Sequence, residues 1–87
     1  MKTMVRKRND LEISANVLDI AKEGARKSHI VYKANLNFKL VNTYLRHLQE
    51  TGLISPPSDD EPLFKTTPKG VAYLHQYMRL ADTFNGM

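Results

Sequence analysis

YKANLNFKLVNTYLRHL, running from Tyr32 to Leu48, decides how this chain is read. Two apolar-studded pieces meet at Ala34-Asn35-Leu36-Asn37, a joint too short to be a loop between independent elements. Asn35 suits a left-handed turn residue, because Asn tolerates positive φ better than most side chains. Leu36 then plugs the angle between the two pieces, and Asn37 caps the second. Within that second piece Val41, Tyr44, Leu45 and Leu48 share one face at helical spacing. Lys39, Asn42, Thr43 and Arg46 stand at i, i+3, i+4 and i+7 on another. That second stripe holds only polar side chains that can donate hydrogen bonds. Two short helices joined by so tight a turn, the second with a polar outer face, form the helix-turn-helix arrangement.

Working outward, Ser28 is placed to cap the first of these helices, with Ile30, Val31 and Ala34 turned inward. An earlier helix begins near Asn9 or Asp10, where Asn9 and Glu12 have the spacing of a capping box. Leu11, Ala15, Leu18 and Ala25 share its inner face, Ile13, Val17 and Ile20 extend it, and Gly24 suggests its end. Downstream, the third helix spans 37–51 and stops at Gly52. Leu53-Ile54 and Leu63-Phe64-Lys65-Thr66 read as short strands around SPPSDDEP, whose prolines exclude a helix. An antiparallel pair with that loop at its tip is a wing. Thr67-Pro68 then starts a last helix over 67–84, with Thr as cap and Pro in the first turn, and Asn85-Gly86 ends it. Val71, Leu74, Met78 and Ala81 form one apolar stripe on it; Tyr73, Tyr77, Leu80 and Phe84 form a second beside the first. So wide an apolar face exceeds what a small domain covers by itself.

The element order predicts a mainly α fold with a small β-hairpin, an α+β winged helix-turn-helix. A basic N-terminal arm spans 1–9, and the domain spans 10–84 with its C-terminal helix included. At 87 residues the chain supports one modest core. Without cysteine, disulfides and thiolate metal sites are excluded. Apolar runs are too short to span a bilayer, and no apolar stretch follows the basic start, so a cytoplasmic protein is expected. The net charge of +4 is unevenly spread: residues 1–55 sum to +5, 56–64 to −3 and 65–87 to +2. A basic body with one acidic loop suits a polyanion partner.

The run AKEGARKSHIVYKANLNFKLVNTYL, with LQETGLI and FKTTPKGVAYL after it, resembles archaeal winged-helix DNA-binding proteins. That group includes small dimeric chromosomal proteins of thermoacidophiles. The likeness covers about Asp10 to Tyr77; YKANLNFKLVNTYL and KTTPKG are its more specific parts, while GLI after a helix is common to many winged helices. It implies double-stranded DNA binding, homodimers built through the C-terminal helix, and transcriptional or chromatin roles. The chain departs from the pattern at Asn42 and Thr43, where the family is often basic, and at Leu40, often polar.

These readings assign Lys39, Asn42, Thr43 and Arg46 to base edges and phosphates in the major groove. Tyr32, Lys33 and Asn37 flank them near the backbone. Lys65 and Lys69, with Arg6, Lys7 and Arg8 of the arm, add phosphate contacts. Phe38 divides between a core edge and a thymine-methyl contact, and the core edge is favoured. Asp59, Asp60 and Glu61 would repel phosphates and leave the wing facing solvent or a protein. Tyr73, Tyr77, Leu80 and Phe84 are assigned to a second subunit; the plainer reading puts both stripes in the monomer core. His29, His47 and His75 lack metal-ligand spacing, so no metal or cofactor is expected, and no arrangement supports catalysis. The alternative to DNA binding is a protein-interaction module that docks a partner through the last helix and the acidic wing. RNA binding is disfavoured, because no stacking aromatics lie on a sheet.

Overall fold

The computed structural model describes residues 9–85. Its elements follow the expected order: α1 (Asp10–Ile20), α2 (Lys27–Ala34), α3 (Phe38–Glu50), β1 (Ile54–Ser55), β2 (Lys65–Thr66) and α4 (Pro68–Asn85). The starts of α1 and α3 and the ends of α2 and α3 are set by local chemistry already visible in the sequence. Asn9 Oδ1 accepts the Glu12 N–H at 2.7 Å, and Asn37 Oδ1 accepts the Leu40 N–H at 2.8 Å. Asn35 closes α2 at φ 57°, ψ 47°. The N–H of Asn35 reaches Tyr32 O and that of Leu36 reaches Val31 O, which satisfies the last carbonyls of α2. Gly52, at φ 77°, repeats this at the end of α3, where Leu53 N–H donates to Leu48 O at 2.9 Å.

The core joins all three N-terminal helices to the hairpin. Val17, Leu18, Ile30, Val41, Leu45, Leu48 and Ile54 are almost entirely buried. Leu36 packs against this cluster from the turn, as does Tyr44 from α3. Tyr44 also donates its hydroxyl to Asp10 Oδ1 at 2.6 Å, tying α3 to the start of α1.

In the hairpin Ile54 pairs with Thr66 and Ser55 with Lys65, antiparallel. Thr66 joins it to α1 twice: its buried hydroxyl donates to Leu18 O at 2.6 Å, and its N–H donates to Ala21 O at 3.0 Å. Carbonyls at the end of a helix need such partners, so the strand completes the helix. Ala25 adds a one-residue third strand. It exchanges two 2.9 Å hydrogen bonds with Phe64.

Several expectations are corrected. Ser28 does not cap α2; the cap position is Arg26, with no side-chain bond, and Ser28 lies inside the first turn. The strands are shorter than expected and include Ser55. Leu11 is 58% exposed rather than on the inner face, because the α1 core starts at Ile13. Met78 is half exposed, so the core stripe of α4 stops short of it.

Candidate nucleic-acid interface

Burying Val41, Leu45 and Leu48 fixes the rotation of α3 and turns Lys39, Asn42, Thr43 and Arg46 to solvent. The four expected residues therefore do form one exposed surface. Thr43 donates its hydroxyl to Lys39 O at 3.1 Å, which leaves its oxygen as an acceptor. Lys22 and Asp19 form an ion pair at 3.7 Å at the end of α1. Among the described residues, Lys39 and Arg46 have no ion-pair partner. Two cations on the same face are thus available to an external anion.

Asn37 has a structural task as the α3 cap, and its amide N–H groups remain free of that bond. Tyr32, 82% exposed, and Lys33 lie in the last turn of α2, next to the turn that α3 leaves from. Lys65 is exposed on β2. Lys69 is committed in part: its Nζ donates to Thr51 O at 2.9 Å and closes the end of α3. Arg6, Lys7 and Arg8 lie outside the described residues.

Two contributors escaped the sequence reading. Lys27 and Gln49 line a shallow depression with Asn42, Arg46, Leu45 and Phe64. Gln49 was detectable, at i+3 from Arg46 and i+7 from Asn42 on the same side of the helix. Lys27 had no local signal, since only the packing of α2 on α3 brings it there. Phe38 is 53% exposed, which overturns the core-edge reading.

At the wing, Ser58 N–H donates to Glu61 O at 2.7 Å and Glu61 N–H to Ser58 Oγ at 3.2 Å. The tip is thereby closed on itself, with Asp59, Asp60 and Glu61 all exposed. On α4, Tyr73 packs on the chain's own core, and burial, then the neighbouring Tyr77, pushes its hydroxyl pKa up. Tyr77 is partly buried and lines a depression shared with Ala15 and Asn16, while Leu80 is 60% exposed. The Phe84 side chain lies outside the described part.

Three helices, a turn closed by a left-handed Asn, a two-stranded hairpin and a final helix form one pattern. A family model described as winged helix-turn-helix matches residues 7–85, nearly the whole chain. The chain belongs to the winged helix-turn-helix family. Among solved structures, this winged helix-turn-helix is similar to Sso10a-2, a DNA-binding protein from Sulfolobus solfataricus. The TM-score is 0.72 at 19% identity, covering 91% of this chain and 87% of the other. At that identity the likeness is one of fold. No curated protein sequence matches the chain. Among the described residues, no helix of the winged helix-turn-helix is long and apolar enough to cross a membrane.

Proposed function

We propose that this winged helix-turn-helix protein binds double-stranded DNA with α3 in the major groove, as a homodimeric transcriptional regulator or architectural protein. The observation that carries the reading is the exposed α3 face, on which Lys39 and Arg46 have no ion-pair partner among the described residues. Had both been neutralised within the chain, the protein-interaction alternative would have been the stronger one. Lys33 and Lys65 add exposed cations on α2 and β2. The fold it shares with a DNA-binding protein agrees with this reading. The acidic wing tip is held off the phosphates by repulsion, so grip rests on α3 and its flanks.

Fluorescence anisotropy of a labelled duplex of about 30 base pairs, about three turns, tests it. The logarithm of the affinity should fall linearly with that of the salt concentration, by about 0.9 per phosphate neutralised. Lys39→Ala should make that slope shallower by about one. Failure to bind at low salt would refute the proposal and favour partner docking through α4 and the wing.

For the dimer, support comes from the outer half of α4, where Met78 and Leu80 stay exposed while Leu74 is buried. Tyr77 borders this surface, whereas Tyr73 is already packed on its own core. Leu80→Asp should therefore convert a dimer to a monomer in sedimentation velocity without changing the helical circular dichroism. A parent protein that sediments as a monomer at micromolar concentration would contradict the assignment.

A further inference from the structure

We infer that Phe38 reads the C5-methyl group of thymine, so that the preferred site places a thymine about two base pairs from the base read by Asn42. The inference rests on the major-groove placement of α3 proposed above and deepens it.

An exposed aromatic is by itself ordinary; the position of this one is not. Asn37 caps α3, so Phe38 is the first residue of the helix. The first residues of a recognition helix are those that meet base edges. The usual reason for an apolar side chain at such a turn is to fill the angle between the helices, and here Leu36 does that, packed against the core. Phe38 has 53% of its surface exposed instead.

The other exposed apolar residue at this end, Leu40, lies on the opposite edge of α3. There it lines a depression with Leu11, Tyr44 and Tyr73 and has apolar neighbours within the chain. Phe38 is on the Asn42 edge, since residues four apart stack on one side of a helix. At 1.5 Å per residue the two sit about 6 Å apart along the axis, about two base steps of 3.4 Å. The major groove offers a ring such as Phe one apolar feature, the thymine methyl, while the Asn42 amide suits adenine N6 and N7. An amide and a ring set about two base steps apart therefore select two A·T pairs with one base pair between them, with orientation set by which strand carries the methyl.

The test uses the duplex selected by the full-length protein from a random pool, made once with thymine and once with deoxyuridine, which lacks only the methyl. The parent protein should bind the deoxyuridine duplex about fourfold more weakly, the value of burying one methyl. Phe38→Ala, with unchanged thermal melting, should bind both duplexes equally, and Phe38→Leu should keep part of the difference. Equal binding of both duplexes by the parent would overturn the inference while leaving DNA binding intact. So would an undiminished preference in Phe38→Ala. No binding to either duplex at low salt would overturn the DNA reading, and this inference with it.

Discussion

Gly70→Ala is expected to destabilise the domain by about 2–4 kcal/mol, although alanine is the better helix former by about 1 kcal/mol. A Cβ on Gly70 would stand 2.1 Å from the Leu53 carbonyl oxygen and 2.6 Å from Thr66 Cγ2. The obstructing atom is backbone and cannot rotate away. It is also engaged, accepting the Thr67 N–H at 3.0 Å. Relief requires the start of α4 to move off the chain leaving α3. That movement strains a set of bonds at one junction: Thr67 Oγ1 to Gly52 O at 2.7 Å, Gly70 N–H to Thr67 Oγ1 at 3.1 Å and Lys69 Nζ to Thr51 O at 2.9 Å. Urea unfolding followed by circular dichroism measures the loss. A variant as stable as the parent would mean that this junction yields freely. The effect reaches function as well, because the same junction sets where α4 and the hairpin leave α3. Gly24, which has positive φ, would place its Cβ 3.0 Å from a leucine side chain rather than a backbone oxygen.

The second large effect is expected from Asn42→Ala/Arg46→Ala. Both side chains are exposed and contribute nothing to the core, so the fold and its stability should be kept. Each lost base contact is worth about 1–3 kcal/mol of discrimination. The ratio of affinities for the selected and a scrambled duplex should thus fall at least about thirtyfold. Competition titrations at one fixed salt concentration read this ratio directly. Retention of the parent ratio would remove α3 from sequence reading and leave Lys39 and Arg46 as phosphate contacts alone. Because Gln49 and Lys27 border the same depression, residual discrimination in the double variant would point to them next.

The two surfaces have distinct roles under this reading. The α3 face carries charge without ion-pair partners among the described residues, and the exposed ring of Phe38; the outer part of α4 carries exposed apolar side chains. A homodimer through α4 would present two α3 helices to half-sites on one duplex, a geometry that favours a palindromic site.

Much of this architecture was legible in the chain itself. Asn9, Asn37 and Thr67 cap the helices predicted to start beside them. Asn35 adopts the left-handed conformation predicted from its residue type. The spacing of Val41, Leu45 and Leu48 fixed which side of α3 faces out. These features rest on bonds between residues a few positions apart, or on a helical period, and so are written locally. The uncapped start of α2 and the Ala25–Phe64 bridge were not legible: Ser28 has the right chemistry in the wrong position, and a single-residue strand has no periodicity.

The chain alone thus prescribes the order of elements, the capped starts of α1, α3 and α4, and the polar character of the α3 face. Exposure, in contrast, follows from tertiary packing: Leu11 and Met78 out, Tyr73 in, Phe38 left outside because Leu36 already fills the turn, and Lys27 brought beside Asn42. Apolar residues along a helix compete for a core of fixed volume, and which of them are accommodated depends on the shape of the neighbouring elements, which no local pattern records.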